Sequence, residues 1–256
     1  MSKSRSDLMT RFSVAFALIG LAFIAIWLGG IAFWLVMAVA GLLMVGEWAG
    51  LAGASQQQRR ISQYALTVPL AIMAPVAAGP NFFALGLVAG AAFFVAAVTR
   101  RGQLGWGVIY VGIPVLSLLL LRARPDGLLL TFWAMALVWA CDSGAFFAGR
   151  GIGGARLAPA ISPNKTWAGF IGGILAAAAF AAALVYLFNL PVYLALATPV
   201  LAVFAQVGDL FESHLKRRAG VKDSGTLLPG HGGLMDRLDG LVAVAPAAAL
   251  LTVLHG

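Results

Sequence analysis

Ala168–Phe188 reads AGFIGGILAAAAFAAALVYLF, 21 residues without a charge. About 20 apolar residues suffice to cross the hydrocarbon core of a bilayer as a helix. A water-soluble helix of this length would carry polar groups on one face, and this one carries none. The stretch therefore reads as a membrane span, and it is not isolated. Uncharged runs bounded by charge, Gly or Pro recur at Phe12–Leu28, Ile31–Gly46, Tyr64–Ala78, Phe82–Val98, Leu104–Leu121, Gly127–Phe147, Pro191–Val207 and Leu241–Leu254. The expected fold is all-α, a polytopic integral membrane protein of about nine transmembrane helices. Gly29-Gly30, Gly79-Pro80-Asn81 and Asn189-Leu190-Pro191 read as the tight turns between neighbouring spans.

Composition agrees. Of 256 residues 61% are hydrophobic and only 10% charged, against roughly 25% charged in a soluble domain. Mean hydropathy is +0.95. This excludes a soluble globular protein, and disorder needs the opposite composition. A single Cys excludes a disulfide framework within the chain. The net charge of +8, from 17 Lys+Arg and 9 Asp+Glu, reads as topology, as a site for phosphate-bearing ligands, or both, rather than as nucleic-acid binding.

Nine spans with a cytoplasmic N-terminus put 15 of the 17 basic residues on the cytoplasmic side and leave only Arg122 and Arg124 outside, as the positive-inside rule requires. Those two flank Pro125-Asp126 and read as a surface loop. Arg59-Arg60 and Arg100-Arg101 read as topology anchors. The first run has no clear A-x-A cleavage site and reads as a retained helix rather than a signal peptide. Two regions follow: residues 1–121, about five spans and nearly free of motifs, and residues 122–256, a catalytic transmembrane region.

The second region holds the polar residues that need a reason. Asp142, in Trp139-Ala-Cys-Asp142-Ser143-Gly144, lies near the end of an apolar helix, where a carboxylate by default suggests function; the alternative is an interfacial Asp pairing with Arg150. Gly144 and Gly149 permit close helix packing. Ser162-Pro-Asn-Lys165-Thr166 precedes a helix start, which suits an anion because free N–H groups and the helix dipole favour phosphate. A plain Ser/Thr cap with an interfacial Lys is the other reading. From Gly208 to Gly240, 33 positions hold ten of the 26 charged residues, five of them acids. Asp236 and Asp239 are spaced i, i+3 and share a helix face. Carboxylates without a Cys/His cluster suit a hard cation such as Mg²⁺. Lys216, Arg217, Arg218 and Lys222 suit phosphate oxygens, and Gly230-His231-Gly232-Gly233 brings backbone close to an anion. Together they describe metal-assisted phosphoryl transfer, the alternative being a solvated loop whose charges cancel.

Ser213–Asp239, SHLKRRAGVKDSGTLLPGHGGLMDRLD, resembles the signature of the phosphatidate cytidylyltransferases (CDP-diacylglycerol synthases). WACDSGAFFAG from Trp139 and SPNKTWAG from Ser162 resemble that family's other motifs, so the resemblance covers about Trp139 to Asp239. Ser143 stands where Thr is common, and Ala168 where a polar or acidic residue is frequent. The resemblance implies CTP + phosphatidate → CDP-diacylglycerol + pyrophosphate. The charge asymmetry puts the site on the cytoplasmic face, and the compact size suggests a bacterial inner membrane. The resemblance also implies Mg²⁺ on Asp209 and Asp236, in a site with room for a second cation. Asp239 and Asp223 follow as ligands or orienters. Lys216, Arg217, Lys222 and Arg237 are expected to hold phosphates, as are Ser162, Lys165 and Thr166. His231 is expected to shape the loop or donate to phosphate, and Asp142 to support the metal or nucleotide. A homodimer is a further family-level expectation; no nucleic-acid partner is expected. A CTP-dependent polyprenol or phytol kinase-like enzyme is the main alternative. A transporter would gather its polar groups near the midplane in paired halves, not at one face of one half.

Overall fold

Without water to satisfy backbone groups, an apolar chain in a bilayer must close its hydrogen bonds within helices. The computed structural model describes residues 16–228 and 232–255, and helices dominate them. In chain order they are α1 (Phe16–Leu28), α2 (Gly30–Leu51), α3 (Gln56–Ile72), α4 (Phe82–Thr99), α5 (Gly102–Ala123), α6 (Gly127–Gly151), α7 (Trp167–Phe188), α8 (Val192–Arg218) and α9 (Met235–Leu254). Seven of these, all but α1 and α3, are long and apolar enough to cross a membrane. The protein is an all-α integral membrane protein. It divides into two compact units: Met1–Ala123 with Ala219–Leu238, and Arg124–Arg218 with Asp239–Gly256.

In the first unit α1 and α2 break at Gly29, whose φ of 61° is the left-handed region that favours glycine. Arg122, in the last turn of α5, closes this turn. Its Nε donates to Ile26 O at 2.7 Å and its Nη2 to Trp27 O at 3.3 Å. A Cβ on Gly29 would run into the same guanidinium. Arg122 is thus a cap for the orphan carbonyls at the end of α1, where the charge pattern suggested a surface loop. Arg122→Ala is expected to lower stability by about 1–2 kcal/mol, the usual worth of a charged hydrogen bond. A fall in melting temperature in detergent measures it; an unchanged melt contradicts it.

Helix α3 starts eight residues before the expected run and ends six before its expected end. Ser55 fixes the start through a capping box with Gln58: Ser55 Oγ accepts from Gln58 N at 3.2 Å, and Gln58 Oε1 accepts from Ser55 N at 3.1 Å. Arg101, expected as a topology anchor, has a structural task. It donates to the carbonyls of Gly53, at 3.0 Å, and Ala52 beyond the end of α2. Trp48 Nε1 donates to Gln103 O at 2.8 Å, and its ring lies where a Cβ on Gly107 would sit.

In the second unit α6 and α7 approach through small residues. A Cβ on Gly144 would lie 2.7 Å from Gly172 O, one on Gly169 2.8 Å from Ala145 O, and one on Gly173 2.8 Å from Cys141 O. Gly149 lies farther out, 3.5 Å from Gly169 Cα by the same measure. A short antiparallel hairpin, β1 (Arg156–Ala158) and β2 (Ser162–Thr166), joins the two helices, pairing Arg156 with Thr166 and Ala158 with Ser162. Trp133 Nε1 donates to Thr198 Oγ1 at 3.0 Å and Gln206 Nε2 to Phe170 O at 3.0 Å, which ties α8 to α6 and α7. Helix α8 has 27 residues, about 40 Å at the usual rise, against a hydrocarbon core of about 30 Å. Its polar last turns therefore extend past the apolar layer as helix, where the sequence ended the span at Val207.

Candidate active site

The second unit brings Lys165 and Asp209 together. Lys165 is the penultimate residue of β2, one residue before the Thr166 cap of α7, and Asp209 follows Gly208 on α8. Gly208 lets α8 pass close to the start of α9: a Cβ there would lie 2.6 Å from Asp239 O. Lys165 Nζ stands 2.6 Å from Asp209 Oδ2, with the side chains 23% and 33% exposed. Ser213 Oγ donates to Asp209 Oδ1 at 3.3 Å. One turn on, Glu212 is fully buried, with Lys216 Nζ 3.5 Å from its Oε1. Arg217 is exposed, its Nε 3.4 Å from Ile161 O. Two stretches distant in sequence, 161–166 and 209–217, thus meet in one polar patch of two lysines, an arginine and two acids. Glu212 draws no role from sequence, because an acid within a stretch dense in charge has no special spacing.

Of the other expected residues in this unit, Thr166 is buried and caps α7, its Oγ1 accepting from Gly169 N at 3.0 Å. Ser162 is half-buried in β2. Asp239 Oδ1 accepts from Gly240 N at 2.8 Å. Asp142 is exposed on α6 and lies nine residues before the helix ends at Gly151, about 14 Å along the axis. That is deeper in the helix than its apolar run suggested.

The first unit holds the other cluster. Asp236 Oδ2 accepts from Ser224 N at 2.8 Å, Ser224 Oγ at 2.9 Å and Gly233 N at 2.7 Å. Leu228 N donates to Gly232 O at 2.9 Å, and Gly232 adopts φ 83° beside Asp223 and Asp236. Residues 224–228 and 232–236 are therefore tied together by hydrogen bonds rather than left as a solvated tether. Lys222, Asp223 and Arg237 are exposed beside them. His231 lies outside the described residues. Glu47 of α2 joins this cluster, 3.2 Å from Ser224 Oγ through its Oε2, from a helix without a recognisable motif; its one signal in sequence is a lone acid beside an uncharged run.

Asp209 and Asp236 belong to different units. Among the described residues no group of three His, Cys, Asp or Glu could hold a metal ion. Mg²⁺ does not require one: it is commonly held by one or two carboxylates, with water and substrate phosphates completing the shell. Asp209 fits that chemistry, being partly exposed and held on Oδ1 only by a hydroxyl at 3.3 Å. Asp236 has one oxygen committed to three donors.

The cytidylyltransferase family matches residues 9–255. The phosphatidate cytidylyltransferase of Brucella suis is 42% identical over 255 residues, covering 96% of this chain and 92% of that protein. That of Brucella abortus gives the same identity and coverage. The phosphatidate cytidylyltransferase of Bacillus subtilis is 43% identical over 157 residues, 60% of this chain and 58% of that one.

Proposed function

The chain belongs to the cytidylyltransferase family, and on that premise we propose that it converts CTP and phosphatidate into CDP-diacylglycerol and pyrophosphate. A non-bridging oxygen of the phosphatidate phosphate attacks the α-phosphorus of CTP. The new P–O–P bond forms as the bond from the α-phosphorus to the bridging oxygen breaks, and that oxygen leaves with pyrophosphate. Attacking and leaving groups are both anionic, so the barrier falls chiefly by placing positive charge around them.

The observation that carries this reading is the Lys165–Asp209 juxtaposition. It sets a cation and a carboxylate at one place, on β2 and α8, and the last turns of α8 supply Lys216 and Arg217. Lys165, Lys216 and Arg217 are suited to phosphate oxygens, Arg217 in a bidentate fork and the lysines as point charges. Lys222 and Arg237 offer the same chemistry on the loop of the first unit. A bound divalent cation would neutralise the triphosphate and the departing pyrophosphate. Asp209 is the ligand its setting favours, and Asp236 is the second candidate carboxylate.

The charge asymmetry supports a cytoplasmic site in a bacterial inner membrane, with CTP arriving from solution and phosphatidate from the adjoining leaflet. Purified protein in nanodiscs, given CTP, phosphatidate and Mg²⁺, is expected to release pyrophosphate with CDP-diacylglycerol. EDTA is expected to abolish the reaction and excess Mg²⁺ to restore it. Release of CDP instead would mark γ-phosphoryl transfer and overturn the proposal, as would no product at all.

A further inference from the structure

Glu47 sits four residues before the end of α2, buried at 7% exposure. A buried carboxylate is costly unless its oxygens are hydrogen-bonded. Here they are, and the partners Ser224, Leu234 and Met235 come from one distant segment. Leu234 N donates to Oε1 at 2.9 Å, Met235 N to Oε2 at 2.8 Å, and Ser224 Oγ approaches Oε2 at 3.2 Å. Leu234 and Met235 supply amides at the start of α9, which have no partner inside the helix, and a carboxylate there also meets the positive end of the helix dipole.

The Ser224 hydroxyl stands between Glu47 Oε2 and Asp236 Oδ2, within hydrogen-bond reach of both. The fit leaves no slack. A Cβ on Gly225 would lie 2.8 Å from Glu47 Oε1, and one on Gly233 2.7 Å from Glu47 Oε2. One side chain of α2 thus holds two points, one next to Lys222 and Asp223 and one next to Asp236 and Arg237.

We infer that Glu47 is a positioning residue for the nucleotidyl transfer: it makes no contact with substrate, and by holding Ser224, Leu234 and Met235 it fixes the backbone beside Lys222 and Asp223 and beside Asp236 and Arg237. This rests on the cytidylyltransferase reading above. Glutamine has nearly the same shape but turns one acceptor into a donor, so one backbone N–H would face an N–H.

The test uses Glu47→Gln in the full chain in nanodiscs, with steady-state kinetics, a thermal melt and hydrogen exchange over the loop peptides. Glu47→Gln is expected to lower kcat roughly 30-fold or more with KM for CTP within about threefold, since a small misplacement of reacting groups costs about 10²-fold. The melt is expected to stay near wild type, and the Leu234 and Met235 amides to exchange faster. Adding Ser224→Ala is expected to cost less than it does alone, because the two share one hydroxyl.

Wild-type kcat in Glu47→Gln overturns the inference. So does a loss of activity that merely follows a loss of folded protein, or faster exchange with kcat unchanged. A wild-type protein that makes no CDP-diacylglycerol overturns the functional reading instead, and unchanged exchange in Glu47→Gln then removes the structural half of the inference as well.

Discussion

Asp209→Asn is expected to lower kcat for CDP-diacylglycerol formation on the order of 10³-fold, the upper range for losing one preorganised electrostatic group in a site where charge develops. The expected cause is chemical rather than structural. The ion pair with Lys165 at 2.6 Å is a quarter to a third exposed, and pairs so open to solvent are worth at most about 1 kcal/mol. Neutralising Asp209 therefore leaves the fold nearly as stable while removing two functions: the counter-charge that orients Lys165, and the carboxylate proposed for the cation. The two separate by titration. If Asp209 holds the cation, Asp209→Asn needs far more Mg²⁺ for half-maximal rate, whereas Lys165→Met keeps the wild-type Mg²⁺ dependence and loses rate and CTP affinity. The double variant is expected to lose less than the sum, because the residues act as one unit. Activity within tenfold of wild type in Asp209→Asn, with a normal melt, would remove this carboxylate from the mechanism.

The spans were legible because membrane helices are long and their signal is additive along the chain. The runs starting at Phe82, Gly127 and Ala168 lie within one residue of the helix starts. Hydropathy fails where a helix is polar at one end. The first turns of α3, Gln56–Arg60, are set by the Ser55 cap rather than by apolarity, and the last turns of α8 continue as helix through a basic run that looks like a loop. The 156–166 hairpin leaves no periodic trace because its strands are three and five residues long.

At the site, residue types were legible and pairings were not. Lys165 and Asp209 stood out as a cation before a helix and an acid after a span, and nothing in their spacing joins them. Glu47 shows the limit most clearly. Its partners lie 177 to 188 residues away, so a lone acid at a helix end is indistinguishable in sequence from an interfacial one. Arg122 is similar, with its acceptors 95 and 96 residues away.

Asp236 gives the second large effect, and here geometry and charge can be pulled apart. One oxygen, Oδ2, accepts from two backbone amides and a hydroxyl. Asp236→Ala would strand the amides of Ser224 and Gly233, both in buried residues. Each unmade bond to a buried donor costs about 1–3 kcal/mol, so about 2–6 kcal/mol leaves the loop, enough to melt it locally in a marginally stable protein. Asp236→Asn can present its amide oxygen where Oδ2 stood and keep all three donors, losing only the charge that strengthens them. The expected result is a graded pair. Asp236→Ala shows fast hydrogen exchange across residues 224–236, a lowered melt and no measurable turnover. Asp236→Asn keeps near-native exchange and melt and yet loses roughly 10²-fold in kcat, because the reaction depends on the negative charge at this position, as a cation ligand or as the partner of a basic side chain. Full activity in Asp236→Asn would make Asp236 a loop clasp and nothing more, and would move the search for a second cation ligand to Asp223 and Asp239. Equal collapse of both variants would mean that the charge-assisted bonds are what hold the loop, and that its fold and its chemistry cannot be separated at this residue.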